Sequence, residues 1–114
     1  MPVAAGSGIP AGYRTTGQVL QGVASWYGPG FVGRPTSSGA IFNPELPTCA
    51  MLTLPLETVI HVTANGRATN CLVNDRGPYG DGRILDMSPA GAAALGYTSA
   101  GVADVTITVL TRTG

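Results

Sequence analysis

Charge is what this chain has least of. Only 11% of its 114 residues are charged, and six basic side chains balance six acidic ones. No basic face exists to neutralise a run of phosphates, which argues against nucleic acid as a partner. A polybasic patch for an anionic membrane surface is equally missing. Long hydrophobic runs are absent too. Apolar residues come in short stretches, far from the roughly 20 consecutive ones that a membrane-spanning helix needs. Histidine is present once, as His61, and cysteine twice, as Cys49 and Cys71. These three do not have the spacing of a metal site, and no cofactor is expected. Met1-Pro2-Val3 leads into a polar stretch without the apolar segment of a signal peptide, as in a mature or truncated chain.

What is present is one domain's worth of chain with a thin core, rich in glycine (17) and proline (9). Cys49 and Cys71 lie in segments that otherwise look like core, either as buried free thiols or as a disulfide. A small domain with little core benefits most from a covalent staple, so the disulfide is the favoured reading. Closing a loop of that length stabilises a fold by roughly 3 kcal/mol on the chain-entropy account. It also points to an oxidising, extracytoplasmic compartment: secreted, periplasmic or cell-wall associated.

Residues 1 to 17 mix Gly, Pro, Ala and Thr without periodicity and read as a linker or tail; the folded domain is expected over 18–112. Val19-Leu20 and Val23 to Tyr27 form the first β-rich run. Gly28 to Gly39 is a loop, and it lacks the Lys-Ser/Thr sequel and βαβ setting of a phosphate cradle. Thr58–Thr63 and Ala68–Val73 flank Asn65-Gly66, a strong hairpin signal because both residues tolerate positive φ. A second loop, Asn74 to Arg83, precedes a brief strand at Ile84-Leu85. Ser88 and Pro89 then supply the N-cap and first position of a short helix through Leu95, and Gly96 its left-handed stop. From Val102 to Leu110, Val105, Ile107 and Val109 alternate with threonines, as in a half-buried strand. Many strands on a short chain favour a closed barrel, which removes exposed edges.

Chemistry concentrates around NDRGPY (74–79) and RILDMS (83–88). A strand ending in Asp75-Arg76, a turn at Gly77-Pro78 and Asp86 at a helix entrance bring two carboxylates toward one surface. Asp86 lies close enough to the helix start to feel its positive end, and Asp75 sits at a strand end, where chemistry is often mounted. Ordinary structural duties compete with this: Asp75 pairing with Arg76 or capping a turn, Asp86 accepting from amides near the helix. Trp26, Tyr27, Phe31 and Tyr79 cluster at the two Gly-rich loops, and aromatic faces beside an acidic centre suit sugar rings. Trp26 is equally suited to the core, while Tyr27 and Tyr79 are better placed for exposure. His61, between Ile60 and Val62, is expected to face solvent without a functional role.

GVASWYGPGFVGRPTSSG, TLPLETVIHVTANGR, VNDRGPYGDGRILDMSPAGAAALG and GVADVTITVL resemble successive blocks of the rare lipoprotein A family, over about residues 20 to 110. The resemblance implies a mainly β fold: a six-stranded double-psi β-barrel with one or two short helices, shared with the first domain of expansins. It also implies a septal lytic transglycosylase that cleaves the MurNAc–GlcNAc bond of peptidoglycan to a 1,6-anhydro sugar, preferring strands stripped of stem peptides. Position by position, the match is partial. The family's T-A-N-G-E becomes Thr36-Ser37-Ser38-Gly39-Ala40, so alanine replaces the glutamate proposed as catalytic. Its T-A-A-H becomes Thr48-Cys49-Ala50-Met51, so methionine replaces the histidine. Asp75 and Asp86 are kept, and are the implied catalytic residues. Expansins, which loosen walls without detectable hydrolysis, keep the aspartate at the position of Asp86 and a groove threonine at that of Thr36.

The implied partner is therefore peptidoglycan or a related polysaccharide, met by a monomeric domain through Tyr27, Thr36, Tyr79, Trp26 and Arg76. Side chains at 40 and 51 that cannot transfer protons favour binding or loosening with weak or no lysis. The alternative is an active transglycosylase. Its reaction needs no attacking water, so a single acid such as Asp75, or Asp86 if burial raises its pKa, suffices, with Glu45 a further carboxylate within loop reach. A third reading is an interaction module in a larger wall-associated protein, tethered through residues 1–17.

Overall fold

The computed structural model describes residues 8–26, 48–78 and 82–113. Among the described residues, six strands and one helix follow in the order β1 (Tyr13–Trp26), β2 (Thr48–Ala50), β3 (Val59–Ala64), β4 (Arg67–Asp75), β5 (Arg83–Met87), α1 (Pro89–Leu95) and β6 (Ala103–Arg112). The strands close into a barrel in the spatial order β1-β5-β2-β4-β3-β6. Two neighbouring pairs, β1/β5 and β2/β4, run parallel. Closure gives every strand two neighbours, although β1 pairs with β5 only over Val23–Trp26.

The core is the inward row of these strands. Ala24, Cys49, Cys71, Val73, Leu85, Met87 and Ile107 are fully buried, and Val62 and Leu95 pack with them. The alternation expected in β6 holds: Val105, Ile107 and Val109 are buried between half-exposed threonines. In β3, Ile60 and Val62 point inward while His61 faces outward, half-buried, its Nδ1 2.8 Å from Asn70 Oδ1 on β4.

Cys49 and Cys71 are joined by a disulfide, with Cα atoms 6.0 Å apart. It ties β2 to β4, which are already parallel partners. A three-residue strand makes few ladder hydrogen bonds, so the covalent link fixes what the ladder alone holds weakly.

Local signals act as their chemistry dictates. Asn65 and Gly66 adopt φ of 54° and 72°, both left-handed, and turn β3 into β4. The Asn65 amide also donates to the Leu95 carbonyl (3.0 Å), satisfying one of the open acceptors at the end of α1. Ser88 caps the other end by accepting from Gly91 N, and Gly96 at φ 76° closes the helix.

The first strand departs from expectation. Regular structure is expected from about Gln18, yet β1 begins at Tyr13 and pairs with β6 from Tyr13↔Arg112 onward. Residues 13–17 therefore belong to a strand, not to a tail. Glycine and threonine in this stretch hide the pattern, and pairing with the apolar C-terminal strand overrides weak local propensity. Upstream, the carbonyl of Gly8 accepts from the buried Asn70 amide at 2.8 Å.

Candidate active site

Four residues line up across four adjacent strands. Ser25 on β1 pairs in register with Asp86 on β5, Asp86 with Ala50 on β2, and Ala50 with Asp75 on β4. Asp75 and Asp86 thus flank one alanine, two strand spacings or about 10 Å apart along the row. The row beside it, Trp26, Met87, Cys49 and Val73, belongs to the core. This alternation decides the place of Trp26. It is half-buried on the core row and packs against the cluster, not beside the carboxylates.

Asp86 is held by a chain of side-chain hydrogen bonds. Ser25 Oγ donates to its Oδ1 at 2.6 Å, and Arg83 Nη1 donates to the same Ser25 oxygen at 2.9 Å. The Tyr97 hydroxyl, from the turn after α1, donates to the Ser25 carbonyl at 2.8 Å. Tyr97 is only 1% exposed. Burial pushes its phenol well above the ordinary value, as does the nearby Asp86 charge, so the hydroxyl stays a donor across the physiological range. Burial likewise raises the Asp86 carboxyl; the Ser25 hydrogen bond and the Arg83 charge oppose this, and Asp75 adds to it. Desolvation penalises the charged form of an acid, which makes Asp86 a better proton holder than a solvated carboxylate.

Asp75 is held by the backbone. Its Oδ1 accepts from the Arg76 amide at 2.8 Å, the turn-capping role open to it from sequence. Arg76, a candidate sugar contact, sends Nη1 to the carbonyls of Met51 (2.9 Å) and Leu54. That guanidinium braces the connection between β2 and β3. Met51, at the position of the family's histidine, is 1% exposed and its thioether belongs to the core.

Tyr27, Phe31, Thr36, Ala40, Glu45 and Tyr79 lie outside the described residues. Ser25, Arg83 and Tyr97 are the residues that sequence reasoning did not single out. For Ser25 a signal was available: alternation in Ala24-Ser25-Trp26 puts its hydroxyl on the face opposite the core. Tyr97 carried none, because its contact to Ser25 spans 72 positions.

Comparison with known proteins agrees with this architecture. Residues 19–107 match the family described as "Lytic transglycolase". A Nostoc sp. protein named "Probable endolytic peptidoglycan transglycosylase RlpA" is 49% identical over 97 residues, covering 82% of this chain and 26% of that protein. The "Endolytic peptidoglycan transglycosylase RlpA" of Vibrio cholerae is 44% identical over 104 residues, covering 90% of this chain and 38% of its own length. The chain thus spans about a quarter to two fifths of these relatives. Among solved structures, the Streptomyces papain inhibitor superposes with a TM-score of 0.66 at 22% identity, covering 84% of this chain and 96% of the inhibitor. The apo expansin of Clavibacter michiganensis gives 0.66 at 20% identity, covering 85% of this chain and 52% of the expansin. At such identities these two speak for the fold alone. By motif, fold and sequence, the chain belongs to the RlpA-like family of double-psi β-barrel domains.

Proposed function

We propose that this domain engages the glycan strands of peptidoglycan across the Ser25–Asp86–Ala50–Asp75 row, with Asp86 as the working carboxyl group. The observation that carries this reading is the setting of Asp86: half-buried, raised in pKa, and aimed by Ser25, which is itself fixed by Arg83 and Tyr97. A carboxyl so held can donate a proton to a glycosidic oxygen or hydrogen-bond it without transfer. RlpA relatives are named for peptidoglycan, and the buried disulfide fits an oxidising compartment such as the one where the wall is built.

Binding is the main activity in this reading, because Ala40 and the buried Met51 cannot supply the groups the family uses at those positions. The domain acts as a monomer and needs no cofactor. Slow lytic cleavage is the second reading, favoured by the raised pKa of Asp86. Its protonated carboxyl gives its proton to the oxygen leaving C1 of MurNAc. The resulting carboxylate then takes the proton of the same sugar's 6-hydroxyl as that oxygen bonds to C1, closing the 1,6-anhydro ring with no water consumed.

Incubating the protein with peptide-free peptidoglycan, then analysing the pellet by sedimentation and the supernatant by mass spectrometry, tests both readings. Retention without products establishes binding alone. Products ending in 1,6-anhydro-MurNAc that vanish in Asp86→Asn establish cleavage on Asp86, and persistence in that variant moves the chemistry to Asp75. Neither retention nor products would remove the glycan reading.

A further inference from the structure

At its Asp75 end the carboxylate row adjoins a second feature of the barrel rim. Past β4 the spatial order continues through β3 and β6 to the start of β1. β3 begins at Val59, level with Leu72 of β4, while β6 runs on beyond Val109 to Arg112, which pairs with Tyr13. The end of β6 and the start of β1 thus form a ribbon that extends past the start of β3. Between this ribbon and the connection leading into β3 lies a cleft of about 230 Å³, lined by Tyr13, Leu56, Glu57, Thr58, Thr111 and Arg112. The cleft is tied to the row through β4. Glu57 N donates to the Val73 carbonyl at 2.7 Å, and Val73 N donates to the Thr58 carbonyl at 2.8 Å. Val73 precedes Asp75 by two residues, or about 7 Å of strand.

Glu57 reaches this cleft on a backbone that does not suit it. Pro55–Thr58 is a tight turn closed by the Thr58 N–H on the Pro55 carbonyl (3.2 Å), and Glu57 takes its left-handed position at φ 76°. Glycine adopts that conformation freely, whereas a Cβ is crowded against the following carbonyl. Asn65, the other non-glycine residue at positive φ among the described residues, has the short polar side chain that tolerates it; glutamate does not. No ion pair or side-chain hydrogen bond of Glu57 offsets the strain among the described residues. Strain that folding does not account for is characteristic of residues that hold a ligand. On the ribbon, Arg112 lies over the Tyr13 ring, 5.7 Å from its centre, and steadies it. A carboxylate, a guanidinium, two threonine hydroxyls and an aromatic ring are the partners a pyranose uses. Its hydroxyls donate to the acid and accept from the cation, and its C–H face packs on the ring.

We infer that this cleft is a distal subsite for a further sugar of the same glycan strand, beyond the Asp75 end of the row, with Glu57 and Arg112 holding hydroxyls and Tyr13 packing on the ring. The inference rests on the glycan reading above and deepens it, since it gives the direction in which a bound strand leaves the carboxylates. It also makes affinity depend on strand length.

Calorimetric titration with two peptide-free peptidoglycan fragments tests this: a tetrasaccharide, which covers the row, and an octasaccharide, which extends past it. The unaltered protein is expected to bind the longer sugar about tenfold more tightly, the scale of one hydrogen bond to a charged group. Glu57→Gly should reduce that advantage to the small statistical gain of a repeating ligand. It should not lower the melting temperature, because glycine takes φ 76° without strain. Tyr13→Leu should reduce the advantage in the same way from the other side of the cleft. Equal binding of both fragments by the unaltered protein overturns the subsite and leaves the glycan reading standing, while binding of neither removes both. An advantage that survives the two substitutions also overturns the proposal, because the strand then leaves the row in another direction. So does an advantage lost in Glu57→Gly together with a fall in melting temperature, since the turn and not the carboxylate would then be what the sugar needs.

Discussion

Asp75 and Asp86 flank the same alanine at the same level of the barrel, yet the seams that hold them are built differently. On the Asp75 side, β2 and β4 are joined by a disulfide, and Arg76 clamps two backbone carbonyls of the following connection. On the Asp86 side, β1 and β5 meet through a side-chain network: Arg83 to Ser25, Ser25 to Asp86, Tyr97 to the Ser25 backbone. Covalent and main-chain anchors fix a position whatever the protonation state. Side-chain hydrogen bonds respond to it. Under the proposed function, two acids of one chemical type, in one row, take different work, the first as a fixed edge and the second as a proton carrier.

The comparison breaks most severely at the disulfide. Replacing Cys49 and Cys71 together by alanine should destabilise the fold by about 3 kcal/mol through the freed loop, lowering the melting temperature by roughly 10 °C. Thermal melts of the variant against the parent read this directly. A loss below about 1 kcal/mol would mean that ladder and core packing already hold β2 against β4. Arg76→Ala comes next. It leaves the Met51 and Leu54 carbonyls without their donor and should cost about 2 kcal/mol, the range of hydrogen bonds to a charged group. Urea unfolding measures it, and Arg76→Lys should recover only part, since an ammonium lacks the planar fork.

On the other seam, Tyr97→Phe removes a single hydroxyl. The Ser25 carbonyl loses its donor, and the expected loss is about 1 kcal/mol of stability. The more telling readout is glycan retention or cleavage, which should fall further than stability does if Tyr97 positions Ser25 for Asp86. Equal, small losses in both would leave Tyr97 as packing.

These residues also show what sequence makes visible. Asn65-Gly66, Ser88-Pro89, Gly96 and the alternation in β6 were legible because each acts within a few positions of itself. The family blocks named the barrel, and the two cysteines were rightly read as a staple. The three-residue β2 is too short to show any period, although it is the strand that sets both aspartates. The start of β1 was hidden because residues 13–17 owe their strand to β6, nearly a hundred positions away. Arg76 was expected as a sugar contact and Trp26 as either a sugar contact or core; hydrogen bonding and register add that Arg76 braces backbone and that Trp26 packs on the core. The Ser25–Arg83–Tyr97 network was out of reach because barrel closure brings its members together.

The smallest effect separates the two acids most sharply. Burial raises the Asp86 carboxyl, so the folded protein holds this proton more tightly than the unfolded chain. Its contribution to stability is therefore fully present below the ordinary carboxylate pKa and is lost as pH rises through the raised folded value. Asp86→Asn does not titrate, and its amide oxygen still accepts from Ser25. The variant should match the parent in acid and gain on it through that pH window, by less than about 1 kcal/mol, as urea titrations between pH 3 and pH 8 would record. A variant that instead loses ground as pH rises would mean that Ser25 and Arg83 outweigh burial and stabilise the carboxylate. Asp86 would then be poised to accept a proton before giving one, and the acid that begins a cleavage would have to be sought at Asp75.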